Sequence, residues 1–433
     1  MGALKASAGV VDLAPRAGMW GSGFALRVRP MIGTRDPITA RTLLLDDGVT
    51  RLAVVSCDLL GFAPAAVADM RRRIAENSQI PGGNVLICCT HTHSGPTSMP
   101  MRGPLGHIDS AWLSEAQSRI VDMVSSLPGQ LQPATFAYGS AMVRGIGHNR
   151  QDASHPIDEE LVAVAVDSAS GGPIATLLNY ATHAVTLGPS NLQFSGDFPG
   201  AAARRLSDLR GGTGIYIQGA CGDVDPVVYR DRGWGAGTFE DAERMGADLA
   251  SAALNALEGK SGTADVDLRV SSEIVDAPLD PPPPPEELER IVSDLESERA
   301  RCAAEGNAAM QTVIAAELSW ATELSKAMAA GDVPESVPAE VFAAGINDLR
   351  LVGLPFETYS AIGLAIKHGL KPRKTIFAGY ANGLYGYCPT RIAKDQGGYG
   401  PYNSCRWFPR LTPVGYGADD LLVEKAVALA GGL

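Results

Sequence analysis

Five consecutive apolar residues, Val85-Leu-Ile-Cys-Cys89, run without a polar interruption and then break at Ser94-Gly95-Pro96. The run is too short for a helix and is apolar on both faces, so it predicts a buried strand that empties into a loop, as strands of α/β proteins do. His91 and His93 follow at once. In extended backbone, residues two apart face the same way, so their neutral imidazoles would meet on one side of a cleft and begin a transition-metal site. A pair of surface loop histidines is the competing reading of so short a pattern.

The same design recurs along the chain. Thr42–Gly48 and Leu52–Asp58 are apolar runs joined through Asp46-Asp47-Gly48 and predict a hairpin, followed by helical spacing over 64–77 and again over 110–126. Asp58 ends the second strand and is expected to cap the helix near Pro64, with a place in the cleft as its other reading. Gly145–Arg150 predicts a glycine-bracketed loop holding His148 and Arg150. That guanidinium suits an acid partner or a substrate carbonyl. Leu161–Asp167 and Ile174–Tyr180 predict two strands joined by a Gly-Gly turn, with His183 where the second runs out. Asp197 precedes a run of alanines and is expected to cap a helix. Gly214–Gly219 predicts a strand that empties into a loop with Asp223 and Asp225, residues as common in turns as in sites. A strand pair ends at Glu357, and the last strand, Thr375–Tyr380, opens into a Gly- and Tyr-rich stretch containing Tyr387 and Tyr399.

Five prolines at 281–285 mark the clearest break and predict a stiff polyproline connector. Leu288, Ile291, Val292 and Leu295, then Trp320, Leu324 and Met328, carry helical stripes on either side of Gly306-Asn307. We read residues 1–280 and 341–433 as two parts of one catalytic α/β body, with the connector and an inserted helical hairpin at 281–340. Packing is the expected role of the hairpin, ahead of a lid or a dimer contact.

A formal charge of −12, with no basic cluster interleaved with aromatics, excludes nucleic acid as the main partner. No run of apolar residues is long enough to span a bilayer, and the amino terminus lacks an export signal, so a cytoplasmic protein is expected. The seven cysteines, at 57, 88, 89, 221, 302, 388 and 405, have no Cys-x-x-Cys spacing and are expected to be reduced and buried. Oligomeric state has no reading in the sequence.

Five strand ends thus deliver His91/His93, His183, Asp223/Asp225, Glu357 and Tyr387 to loops, where open α/β sheets bind ligands. Two or three imidazoles and a carboxylate form a nitrogen/oxygen set suited to zinc and hydrolysis. The runs Thr90–Pro96, Asn149-Arg150, Ala181–His183, Gly196–Gly200, Gly222–Pro226, Leu354–Glu357 and Ala381–Tyr387 resemble, in the same order and over nearly the whole chain, the catalytic domain of the neutral/alkaline ceramidases. That resemblance implies a fold of mixed β-sheets covered by helices and a zinc ion held by His91, His183, Glu357 and Tyr387. It also implies a substrate site lined by His93, Arg150 and Tyr399. A core hydroxyl is the competing reading of Tyr387.

Three departures from the family are visible. Asp225 stands where ceramidases carry a serine, so the serine's role does not transfer, and we expect the carboxylate to act as general base and acid. Neither an export signal nor the family's carboxyl-terminal β-sandwich is expected, since the amino terminus lacks the signal pattern and the sequence ends at residue 433 soon after the last motif. The expected activity is hydrolysis of a C–N amide bond in a soluble small or medium acyl substrate. Ester or lactone hydrolysis with the same zinc water, and a non-catalytic binding protein on this fold, are the alternatives.

Overall fold

The computed structural model describes residues 2–433. Its first strands are β1 (Lys5–Asp12), β2 (Thr39–Asp46), β3 (Arg51–Cys57) and β4 (Val85–Cys89). The Asp-Asp-Gly turn joins β2 and β3 as an antiparallel hairpin, and α1 (Pro64–Asn77) crosses from β3 to the parallel β4. After α2 (Ser110–Ser126) come β5 (Gln132–Met142), the short β6 (Gly147–Asn149), β7 (Glu160–Ser168) and β8 (Pro173–Tyr180). Next are α3 (Asp197–Arg210), β9 (Thr213–Gln218), β10 (Val224–Pro226), α4 (Val227–Arg232) and α5 (Phe239–Leu257).

These strands make one mixed sheet in the order β9-β8-β7-β5-β1-β2-β3-β4. Its middle is nearly cut through, because β1 and β5 share only two residue pairs, Lys5 with Pro133 and Ala6 with Gln132. The sheet folds back at this corner. The Ser56 hydroxyl on β3 therefore donates to Tyr216 O on β9 at 2.5 Å, and Arg41 on β2 reaches Gly214 O at 3.1 Å.

A second sheet, β11 (Leu268–Pro278), β12 (Ser336–Ile346), β13 (Leu349–Gly353) and β15 (Lys374–Ala378), packs against both halves of the first. Between them lie β14 (Glu357–Thr358) and α8 (Ser360–Gly369), and β16 (Tyr387–Cys388), α9 (Arg391–Gln396) and α10 (Ala418–Gly431) follow. Side chains alternate across each strand as the pleat requires. On β12, Phe342 and Ala344 face the core shared with Leu43, Val54 and Leu86, while Val341 and Ala343 face the core shared with Ile366 and Leu422. Helices α3 and α5 cover the remaining face through Phe198, Ala202, Leu249 and Ala253. All seven cysteines are free and buried.

The helical hairpin is α6 (Pro285–Ala304) and α7 (Ala308–Ala330), reached through an extended run ending at Pro284. It is inserted between β11 and β12, which pair along their whole length from Leu268 with Ile346 to Pro278 with Ser336. Leu288, Trp320 and Leu324 form a small core of their own, and the Trp320 indole N–H donates to Leu411 O at 2.8 Å. Arg406 pairs with Glu317 at 2.8 Å and Arg102 with Glu323 at 2.6 Å, fixing α7 to the segments around residues 102 and 406.

Because this core is separate from the main ones, Trp320→Ala should cost about 3–5 kcal/mol locally without unfolding the body. Limited proteolysis should then cut within residues 285–332 first. Protection of that region equal to wild type would contradict this account.

Candidate metal centre

His91 and His93 do not sit in extended backbone as expected. His91 has φ +60°, a left-handed conformation that turns the chain just past β4, with its N–H on Leu59 O at 2.9 Å. The rings still converge, because His93 N–H is held by Ala184 O at 3.0 Å and His183 N–H by Val224 O at 2.9 Å. Gly23, at φ +92°, packs on the His93 ring so closely that a Cβ there would overlap it.

One side chain ties the two loops together. The Gln218 carboxamide, fully buried at the end of β9, donates to Thr90 O at 2.9 Å and to Thr182 O at 2.8 Å, the carbonyls that precede His91 and His183.

Each of those histidines spends Nδ1 on a main-chain carbonyl: His91 on Leu60 O at 2.7 Å and His183 on Cys221 O at 3.0 Å. A carbonyl only accepts, so Nδ1 carries the proton and Nε2 of the neutral ring is a lone pair. Tyr380 stacks on the His91 ring with centroids 4.0 Å apart. His91 Nε2 stands 3.2 Å from Glu357 Oε2 and 3.2 Å from His93 Nε2, and His183 Nε2 stands 3.5 Å from Glu357 Oε2. Glu357 and Tyr387 are drawn together as register partners in the parallel β14–β16 pair. Burial, reinforced by Arg150, pushes the pKa of His183 well below the ordinary histidine value, and burial with His91 does the same for His93.

His183 Nε2 and Glu357 Oε2 are buried without a hydrogen-bond partner. Leaving them so costs on the order of 1–3 kcal/mol each, and two lone pairs facing a carboxylate repel. A cation relieves both costs. Tetrahedral zinc with bonds of about 2.0–2.1 Å places its ligand atoms roughly 3.3 Å apart, which is the spacing seen here. The donor set therefore fits zinc: the His91 and His183 Nε2 atoms both face Glu357 Oε2, and the ring nitrogens of His91, His93 and His183 lie within 4.8 Å of one another.

A cavity of about 720 Å³ opens beside this cluster and is lined by His93, Arg150, Asp225, Tyr387 and Tyr399. Arg150 organises its wall. The guanidinium donates to Asp225 Oδ1 at 3.0 Å and, through Nη2, to Gly222 O and the Tyr387 hydroxyl at 2.8 Å each. Burial alone would lower its pKa, but Tyr387 and Asp225 outweigh that and hold it well above the ordinary arginine value. The half-exposed Tyr399 meets the Tyr387 ring edge-on at 5.9 Å.

Other residues singled out in the sequence lie elsewhere. Asp223 is a pin: its carboxylate accepts from Asn149 Nδ2 and from both the N–H and the hydroxyl of Ser360, at 2.7–2.9 Å. Asp58 does not cap α1, whose cap is Ala63 without a side-chain bond; its Oδ2 accepts from the Thr39 N–H and hydroxyl, joining β2 to β3. Asp197 is the first residue of α3 rather than its cap, at φ +54°, and it holds the Leu187 N–H at 3.0 Å. Burial pushes its carboxyl up to about 6. The expected loop at 145–150 contains β6, where His148 lies opposite Asp225 and outside the three-histidine cluster. Gln218, Tyr380, Phe24 and Trp234 escaped the sequence reading; the only local signal among them was glycine on both sides of Trp234.

No family model matches the chain. It is similar to the neutral ceramidase of Pseudomonas aeruginosa, 22% identical over 90% of this chain, and it spans 66% of that relative's length. The crystal structure of neutral ceramidase from Pseudomonas aeruginosa superposes with a TM-score of 0.72 at 20% identity, covering 99% of this chain and 75% of that one. A ceramidase complexed with C2 superposes with a TM-score of 0.73 at 19% identity, over 99% of this chain and 76% of that one. The mixed α/β architecture is the fold of those structures.

If the cluster holds zinc and Gln218 keeps the two histidine loops in register, Gln218→Leu, of similar bulk, should weaken that binding about 10–100-fold in a folded protein. His183→Ala should abolish stoichiometric binding. Titration against a competing chelator measures both, and wild-type affinity in Gln218→Leu would refute the tie.

Proposed function

We propose that this chain is a zinc-dependent hydrolase that cleaves the C–N bond of an N-acyl amide. The observation that carries this reading is the set of buried, unpartnered acceptors, His183 Nε2 and Glu357 Oε2, next to a cavity walled by an Arg–Asp–Tyr group. Similarity to a neutral ceramidase along 90% of the chain supports the same chemistry. The ion would be held by His91, His183 and Glu357, with Tyr387, the register partner of Glu357, as fourth ligand. When bound, zinc supplies a Lewis acid that polarises a carbonyl and acidifies water.

The remaining work falls to the chain itself. Asp225 accepts a proton from the attacking water and passes it to the amide nitrogen. A C–O bond forms, the C–N bond breaks, and the products are a carboxylate and an amine. Arg150 keeps Asp225 at 3.0 Å and still has an Nη1–H and its Nε–H for the carbonyl oxygen. His93 and Tyr399, which line the cavity, add donors on which the negative charge of the addition step can rest. Of the four histidine and glutamate side chains of the cluster, His93 is the one that lines the cavity, which favours a substrate-facing role for it and leaves the ion to the other three.

Glu357→Gln should lose zinc while remaining folded, as read by metal analysis and circular dichroism. Asp225→Asn should cut amide turnover by about 10²–10⁴. An activated ester, whose leaving group needs no proton, should lose far less. Full activity with retained metal in Glu357→Gln, or equal losses on amide and ester in Asp225→Asn, would overturn the mechanism.

A further inference from the structure

The cavity wall carries two groups of aromatic residues that differ in polarity. In one, Phe24 and Trp234 meet edge-to-face at 5.7 Å, Trp234 and Tyr229 lie 6.3 Å apart, and Val185 completes the wall. Phe24, Val185 and Tyr229 belong to a small apolar cluster separate from the main cores. Trp234 is 58% exposed and lines the cavity. It is displayed by a turn that needs glycine on both sides, Gly233 at φ +100° and Gly235 at φ +76°. An indole left this open is a large apolar surface available to a ligand.

The other aromatic group of the wall, Tyr359, Tyr387, Tyr399 and Trp407, differs in carrying neutral hydrogen-bonding groups. Tyr387 meets Tyr399 at 5.9 Å and Tyr359 at 6.5 Å, and the Tyr359 hydroxyl donates to Gln151 Oε1 at 2.8 Å. Gln396 joins them in the wall. Asp225 lines the same cavity and is linked to both groups. It bonds Arg150, which leads to Tyr387, and it precedes by four residues Tyr229, on the first turns of α4.

Resting on the amide-hydrolase reading, we infer that the Phe24–Tyr229–Trp234 wall binds the amine half of the substrate and that this half carries an aryl group. The substrate class is the N-acyl arylalkylamines with a compact, uncharged acyl group. The leaving nitrogen must lie against the acid that protonates it, so the group attached to nitrogen extends from Asp225 toward Tyr229 and Trp234. The carbonyl and acyl portion turn toward Arg150, Tyr387 and the tyrosine–glutamine group. Once released, the amine is an ammonium between the Asp225 carboxylate and aromatic faces, a setting that favours a cation. A volume of about 720 Å³ accommodates one such molecule.

The test uses N-acetylphenethylamine and N-acetylhexylamine with the zinc-loaded full chain, and phenethylamine alone as a calorimetric probe. Wild type should prefer the aryl substrate in kcat/KM by about ten-fold. Trp234→Ala should collapse that ratio toward one, mainly through KM for the aryl substrate, and Trp234→Phe should restore most of it. Phenethylamine should bind wild type and lose about ten-fold in affinity in Trp234→Ala, a readout independent of turnover. Turnover of both amides with a ratio that Trp234→Ala leaves unchanged would overturn the subsite and leave the hydrolase reading standing. Trp234-dependent phenethylamine binding without turnover of any amide would support the aryl-amine site and overturn the hydrolase reading. Neither turnover nor binding would overturn both.

Discussion

The carboxamide of Gln218 donates one N–H to Thr90 O and the other to Thr182 O, and so joins strand ends that belong to opposite halves of a folded sheet. Those halves share only the two-residue corner between β1 and β5, so nothing in the main sheet ladder itself sets how far apart β4 and β8 finish. Two charge-neutral hydrogen bonds at zero exposure set it instead, together with Ser56 to Tyr216 O and His93 N–H to Ala184 O. Both carbonyls would be buried and unpaired without the amide, which makes the tie specific as well as stabilising. The imidazoles are aligned downstream of it, and their Nδ1 bonds to Leu60 O and Cys221 O then aim the lone pairs.

Arg150 plays the matching part on the wall of the cavity. A guanidinium is a rigid fork that stays charged, so one residue can hold a carboxylate and a phenol at fixed positions at the same time. Asp225 and Tyr387 come from segments far apart in sequence, and their separation across the site is set by the width of that fork. A lysine would keep the charge and lose the spacing.

What could be read in the sequence was local. The helices expected over 64–77 and 110–126 are α1 and α2, and the stripes around Leu288 and Trp320 are a real hairpin, because amphipathic periodicity is written in neighbouring residues. Strand ends carrying His91, His183 and Glu357 were legible for the same reason, and the structure brings those three side chains together. The fold class was legible mainly through the ordered motifs of a known family, and the superposed ceramidase structures share it. The sheet corner was not, since it rests on contacts between residues 5–6 and 132–133 with no pattern of their own. Gln218 looked like an ordinary strand-terminal polar residue, and Asp58 like a cap, because only the distant Thr90, Thr182 and Thr39 reveal what each one binds. The aromatic wall stayed hidden because the loop bearing Phe24 is shaped by Arg27, whose guanidinium holds the carbonyls of Ser22, His93 and Asn191 at 2.8–2.9 Å.

The way α6 and α7 interrupt the second sheet bears on how the chain folds. β11 and β12 pair from Leu268–Ile346 to Pro278–Ser336, so the whole insertion spans adjacent positions on two neighbouring strands. Closing a flexible loop of that length would delay the pairing, and the entropic penalty falls when the loop has already collapsed. Two helices with a local Gly306-Asn307 turn and a core of their own form fast from nearby contacts, and once formed they return the chain to its starting point. The insertion thereby serves as an oversized β-turn: it converts a long-range strand pairing into a nearly local one, and the second sheet can begin to assemble before the histidine-bearing loops are in place.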